Sequence, residues 1–362
     1  MQKSNGMYYA PVSDAKAAVA GPGEFPFSVI GLDHGHIYAM AQGLIEAGAT
    51  PCQVFDPDTE KAEAFCKAFP GFRIARSREE VLYDRSILVA SAIRPDLRCA
   101  LGLEVMTHGK DYFSDKPGFL SLEDAARVEK ACDSTKRKYM IYFGERIHVE
   151  GAVMAQQLID GGDLGDLVNI QILAPHRLSR DIRPSWFWNP EQNGGILADL
   201  GSHQMEQMLS FAHADTGTIL SSAVGNYANH DHPDFQDCGQ VSFVSDTGVM
   251  GFCKVDWFTP DGMGAWGDGR VFITGTKATL ELRKYLDVAR SNEGDQIYFT
   301  DSRGEHQFCA HGQTGFPFFG QFIRDCLDRT DNAMTQKHVI ESMRLAIEAQ
   351  ERANRIEPKK KD

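Results

Sequence analysis

From Phe27 onward, short and almost wholly apolar runs alternate with amphipathic segments, and this alternation limits the fold more than any other feature. Residues 27–30 read as a strand and 37–47 as the helix after it. Residues 53–55 form a second strand closing on Asp56, and 59–69 have helical spacing with Ala62, Phe65, Cys66 and Phe69 on one side. Further strands fall at 87–90, 112–114 and 139–143, separated by helical segments at 97–108 and 122–136. Strands apolar on both faces belong in a parallel sheet covered on both sides. Repeated β-α-β order therefore predicts a doubly wound α/β domain over 27–145, preceded by an arm of residues 1–26.

Beyond residue 146 the period changes. One helix at 151–161 is followed by segments at 168–172, 240–244, 251–257, 270–274, 278–283 and 296–300, whose residues alternate inward and outward. Such alternation predicts an α+β domain over 146–330 with a large, mostly antiparallel sheet open on one face. Helices at 316–327 and 333–354 end the chain. The segment 331–362, a helix with a basic tail, is expected to pack back on the first domain. An uncovered sheet face seeks a partner, so a homodimer or homotetramer is expected, with Met7-Tyr8-Tyr9 of the arm gripping a neighbour.

The chain has 362 residues, enough for two domains, and is 42% hydrophobic and 24% charged, as soluble globular proteins are. A net charge of −13 and a pI near 5.4 argue against nucleic acid, whose phosphates require clustered Lys and Arg. Lys359-Lys360-Lys361 reads as a solvated tail. No run of eighteen apolar residues predicts a membrane span, and the N-terminus lacks the basic and apolar regions of a signal peptide. Eight scattered cysteines without a CxxC pair point to a reducing, cytoplasmic setting.

Two segments carry chemistry. A helix from about 195 to 211 places Asp199 and His203 one turn apart on one face, and Lys116 in Asp115-Lys116-Pro117 closes a strand. Removing a proton from a hydroxyl whose carbon loses hydride needs this set: an imidazole base, a cation for the developing alkoxide, and a carboxylate to orient them. The bland alternative is a surface Asp–His pair and a loop lysine.

Between the first strand and helix lies Gly31-Leu32-Asp33-His34-Gly35-His36, where a dinucleotide fold carries G-x-G-x-x-G. Only the first glycine is in place; Asp33 and His36 replace the others. Asp56, at the end of the second strand, is placed to accept ribose hydroxyls and repel a 2′-phosphate, which favours NAD. Its alternative is to cap the helix near Asp58. His34 with His36, and His230-Asp231-His232, lack the further ligands of a metal site, so no metal is expected.

In order and spacing these motifs resemble the Gfo/Idh/MocA oxidoreductases over about residues 25–355. The family's Glu-Lys-Pro motif corresponds to Asp115-Lys116-Pro117, its Pro-containing turn to Ile93-Arg94-Pro95, and its Gly-Lys-His step to Gly109-Lys110-Asp111. Its Gly-Gly-x-Leu-x-Asp-x-Gly-x-His signature corresponds to the stretch from Gly194 to His203, and its sheet hairpin to Gly275-Thr276-Lys277-Ala278. The resemblance implies Lys116, Asp199 and His203 as the catalytic set. It implies Gly31, Leu32, Asp33, His34, His36, Asp56, Ile93, Pro95, Lys116 and Pro117 as the lining of the NAD site. It also implies a sugar, glycoside or cyclitol whose secondary hydroxyl exchanges hydride with nicotinamide.

Arg146, His148, His176, Arg183 and Trp186, with Asp199 and His203, are the expected substrate contacts, since a pyranose offers hydroxyls at its rim and C–H bonds on its faces. Two other functions fit the same residues. One is a redox-neutral glycosidase or lyase that uses NAD through a keto-sugar intermediate; the other is a non-catalytic sugar- or nucleotide-binding regulator.

Overall fold

The computed structural model describes residues 7, 9–11 and 18–357; Tyr8 of the arm and Lys359, Lys360 and Lys361 of the tail lie outside them. The chain divides into two compact units, one of Met7–Phe143 with Gly315–Ile340, the other including Gly144–Thr314 and the residues from Glu341.

The first unit is built on strands β1 (Pro26–Ile30), β2 (Thr50–Phe55), β3 (Arg73–Ile74), β4 (Leu88–Ser91), β5 (Asp111–Asp115) and β6 (Tyr139–Tyr142), which form one parallel sheet in the order β3-β2-β1-β4-β5-β6. Every residue of β1, β4, β5 and β6 is buried, as expected of strands covered on both faces. Helices α1 (His36–Glu46), α2 (Thr59–Ala68), α3 (Arg78–Leu82), α4 (Pro95–Thr107) and α5 (Leu122–Thr135) make the crossovers. Asp58, Ser77 and Ser121 cap α2, α3 and α5 through their side-chain oxygens, each satisfying backbone N–H groups that the helix itself cannot.

The second unit holds β7 (Leu167–Pro175), β8 (Gly217–Gly225), β9 (Cys238–Ser245), β10 (Met250–Asp256), β11 (Arg270–Gly275), β12 (Thr279–Arg283), β13 (Gln296–Asp301), β14 (Gly304–Cys309) and β15 (Asn354–Ile356). They make a nine-stranded sheet in the order β14-β13-β12-β11-β7-β10-β9-β8-β15, antiparallel except for the β7–β10 and β8–β15 pairs. Its helices are α6 (Gly144–Ile147), α7 (Glu150–Asp160), α8 (Pro190–Asn193), α9 (Ile196–Asp199) and α10 (Gly201–Phe211). Helices α7, α9 and α10 lie against the inner face, where Ile172, Phe243, Val255, Val271 and Leu282 are buried. The outer face is of mixed character. Gln171, Phe252, Phe272, Arg283 and Tyr298 stand on it, mixing apolar, polar and charged groups at partial or full exposure.

Two helices follow, α11 (Pro317–Asp328) and α12 (Gln336–Glu351). Helix α11 belongs to the first unit: Phe318 and Phe322 pack on Phe113 of β5 at ring separations of 6.0 and 5.2 Å. Each buried phenylalanine stabilises the docking by about 1.5–3 kcal/mol. The described residues of the expected 331–362 segment do not all group with the first unit. The division between units falls within α12, and β15 adds in parallel to β8 of the second sheet. Those three exposed residues have no apolar pattern; an edge strand with open hydrogen-bonding groups recruits them. Among the described residues, no helix is long and apolar enough to cross a membrane.

Candidate active site

In the first unit the expected cofactor residues gather at the carboxyl ends of β1, β2, β4 and β5. Gly31 turns the chain out of β1 at φ +85°, and a Cβ there would stand 2.6 Å from Ile93 Cβ, so no other residue fits. Leu32 N–H donates to Asp56 Oδ2 at 2.7 Å, and Asp58 N–H to Oδ1 at 2.8 Å. Helix α2 is capped by Asp58, which rules out the reading of Asp56 as that cap. Burial pushes the Asp56 carboxyl above its ordinary pKa, against the pull of the two N–H donors. Each of its oxygens can still accept another hydrogen bond, as ribose hydroxyls would supply.

Asp33, which replaces the second glycine, has a cation against it. Its Oδ1 lies 2.9 Å from Lys61 Nζ, and its Oδ2 accepts from Arg94 N–H at 3.0 Å. Helix α1 opens with neither an acidic residue in its first turn nor a side-chain cap, and so leaves its positive end to an anion such as a pyrophosphate. The donor set fits a dinucleotide.

His34 and His36 turn towards Asp115, with Nδ1 atoms 3.2 and 2.8 Å from its oxygens. Asp115 also receives Lys116 N–H at 2.7 Å and Arg98 Nη2 at 3.0 Å. Burial alone would raise its pKa, but His36, Arg98 and His34 outweigh burial and hold it well below the carboxylate range. Burial likewise lowers His34 to about 3, so it is neutral. The three side chains have the proximity of a metal-ligand set. Arg98 and the Lys116 amide already use the carboxylate, however, and 2.8 Å is a direct hydrogen bond.

Arg98, which the sequence reading missed, also donates to Ile93 O at 2.7 Å and Pro117 O at 3.0 Å. It thereby ties the Ile93–Pro95 turn to the buried Lys116 and its cis-linked Pro117. An arginine on the apolar face of α4, among Cys99, Leu101, Gly102 and Val105, was the available signal.

In the second unit, Asp199 and His203 keep their one-turn spacing. The helix expected over 195–211 is divided at Leu200, yet that residue retains helical angles of φ −87° and ψ −40°. Its start is capped from a distance: Ile196 N–H donates to Gln236 Oε1 at 3.0 Å and Leu197 N–H to Gln350 Oε1 at 2.9 Å. A Cβ on Gly195, at φ +83°, would fall 2.5 Å from Gln350, so the glycine permits this contact. His203 is 2% exposed on a helix whose Ser202, Gln204, Glu206 and Gln207 are fully buried.

The expected substrate residues take different places. Arg183 lies between two rings, 4.4 Å from the Phe187 centroid and 4.8 Å from that of Trp257, and its Nε donates to Leu178 O at 2.7 Å. Burial lowers its pKa to about 10, with Asp199 acting in the opposite sense. Phe187, Asn193, Gly195, Asp199, Phe235 and Trp257 line a small cavity. His176 packs its ring on Trp266 at 4.5 Å and Trp257 at 5.5 Å. His148 is buried, and Trp186 is half-buried beside Phe187 at 6.4 Å. Arg146 is committed to Glu206, its Nε 2.7 Å from Oε1, in a partly buried ion pair. In the 230–232 loop, His232 stacks on Trp188 at 4.3 Å and Asp231 pairs with Arg180.

The first unit, with its glycine turn and the acid closing β2, is an NAD-binding Rossmann domain. Residues 16–143 match the family model described as the oxidoreductase family, NAD-binding Rossmann fold. Residues 153–281 match the GFO/IDH/MocA C-terminal domain, and the chain belongs to the Gfo/Idh/MocA family of oxidoreductases. A crystal structure of an oxidoreductase from Erwinia carotovora atroseptica is 41% identical, with a TM-score of 0.89 over 92% of this chain and 100% of that one. An uncharacterized oxidoreductase from Streptococcus pneumoniae is 26% identical over 258 residues, 70% of this chain and 67% of its own length. Levoglucosan dehydrogenase, solved in complex with NADH, shares the fold at 15% identity and a TM-score of 0.73, over 90% of this chain and 97% of its own.

Proposed function

We propose that the protein is an NAD(H)-dependent dehydrogenase that exchanges hydride between nicotinamide and a secondary hydroxyl of a sugar, glycoside or cyclitol. The observation that carries this reading is the helical turn joining half-buried Asp199 to buried His203, with the Arg183 guanidinium, framed by Phe187 and Trp257, facing Asp199. Apolar rings suit the C–H face of a pyranose, and a carboxylate with a guanidinium suits its hydroxyls.

His203 takes the hydroxyl proton as general base. Asp199 accepts a hydrogen bond from the substrate and fixes its orientation, and Lys116 lowers the cost of alkoxide charge. Asp56, Gly31, Leu32 and the start of α1 hold NAD, which supplies the hydride acceptor. The nearby Arg183, His176, His148 and Trp186 are the proposed contacts that select the substrate. A dehydrogenase is favoured over a binding regulator because Lys116, Asp199 and His203 are all retained and the replaced glycines are compensated, Asp33 by Lys61.

A screen of free sugars, glycosides and inositols with NAD, and NADP in parallel, tests the proposal. NADH should accumulate in proportion to oxidised product. Cleavage or elimination without net NADH would instead make the enzyme redox-neutral, and tight ligand binding without turnover would make it a regulator.

A further inference from the structure

We infer that Glu145 is a buried counter-charge of the His203 base, held beside it in a closed hydrogen-bonded ring with Lys284. Its kinetic consequence rests on the dehydrogenase reading above; its electrostatic content does not.

The ring has four members. Lys284, directly after β12, places Nζ 3.1 Å from Glu145 Oε2 and donates to Gln207 Oε1 at 2.7 Å. Gln207 Nε2 donates to Gln204 Oε1 at 2.9 Å, and Gln204 Nε2 donates to Glu145 Oε1 at 3.1 Å. Gln207 Nε2 also reaches His203 O at 3.1 Å, so the ring encloses the turn that carries the base. All four side chains are at most 4% exposed. Well-packed apolar side chains could replace such a buried pair with little loss of stability, so stability alone does not explain its presence. What an ion pair supplies, and apolar packing cannot, is a fixed charge.

That charge is directed at the histidines. Burial would push the Glu145 carboxyl up, yet Lys284, His203 and His176 together bring it to about 2, so it is an anion throughout the neutral range. His176 Nε2 stands 3.5 Å from its Oε1. Asp199, one turn before His203, also faces Arg183, where it opposes the effect of burial. Glu206 of α10 pairs with Arg146 of α6, and Lys284 faces both Glu145 and Glu206. An imidazole that accepts a proton in a buried site needs a nearby anion to hold the imidazolium. Glu145 meets that need as a positioning residue that never touches substrate.

The test needs no substrate. Ring-15N histidine signals of the full chain are followed against pH, with the His203 signal assigned by its loss in His203→Asn. In Glu145→Gln the His203 midpoint should fall by about one pH unit or more, because an opposite charge is removed. In Lys284→Met it should rise, because the anion then acts unopposed, and Glu145→Asp should stay close to wild type. The pH–rate curve for oxidation should shift in the same sense as the midpoint in each variant. Opposite shifts from the two ring variants support the inference, since merely loosening the fold would not reverse sign. Shifts of one sign in both, or none in either, overturn it. If Glu145→Gln does not fold, Lys284→Met and Glu145→Asp still give the comparison. Wild type without turnover on any substrate would sink the dehydrogenase reading and leave the titration result standing.

Discussion

Arg98→Met should be the most damaging single substitution in the first unit, and its cost can be worked from the structure. Arg98 is 1% exposed and Asp115 fully buried, and the guanidinium makes hydrogen bonds to Asp115, Ile93 O and Pro117 O. Methionine keeps much of the stem volume but leaves a buried carboxylate without its guanidinium. Removing one partner of a buried pair costs about 3–5 kcal/mol. Asp115 retains the Lys116 amide and the two imidazoles, which places the expected loss near the low end, about 3 kcal/mol. For a domain of this size that is roughly 6–12 °C in Tm.

The pH dependence gives a second check. The folded pKa of Asp115 lies below its unfolded value of about 3.9, so its stabilisation is complete above that pH and is lost as pH falls through the folded pKa. Wild type and Arg98→Met should therefore differ most near neutrality and converge in acid. Calorimetry and urea unfolding at several pH values measure both effects. A loss under about 0.5 kcal/mol would refute the reasoning, since that is the range of ordinary surface substitutions. So would an unchanged loss in an Asp115→Asn background, where no charge remains to be stranded.

Asp56→Ala should weaken NAD and narrow the gap to NADP, read by fluorescence titration of both; a native protein that prefers NADP would remove Asp56 from the ribose. His203→Ala should lower turnover by roughly 10²–10⁴-fold with NAD binding nearly intact, and Lys116→Ala should slow hydride transfer as well. Wild-type oxidation should rise with pH through an imidazole titration, because only neutral His203 accepts a proton. Native turnover and an unchanged pH profile in His203→Ala would return the search to His176 and His148. The mixed outer face bearing Phe252, Phe272 and Tyr298 should join copies of the chain into a dimer or tetramer. Light scattering at micromolar concentration checks this, and a monomer there would contradict it.

The sequence determined the elements whose own residues carry the period of their environment. Strands β1, β4 and β6 are largely apolar on both faces because both faces are covered, so the parallel sheet was legible from local pattern alone. The turn at Gly31, the acid Asp56 and the Asp199–His203 spacing were legible for the same reason: each is a short-range relation between neighbours in the chain.

Tertiary structure decided what depends on distant residues. Strands β14 and β15, with few buried side chains, carry little pattern and exist because an edge was there to pair with. Helix α10 is half polar in composition and would pass for a surface helix. It is buried on nearly every side because Glu145, Lys284 and Arg146, from elsewhere in the chain, supply partners for its polar groups. Asp33 stands where a dinucleotide turn carries glycine and is matched only because the fold places Lys61 against it, and Asp115, which takes the place of the family's glutamate, is held by Arg98 and two histidines that the fold closes on it. Sequence spacing reports which groups a segment presents. Only the fold brings together the charges that decide whether a buried group is ionised, and with it what that group can do.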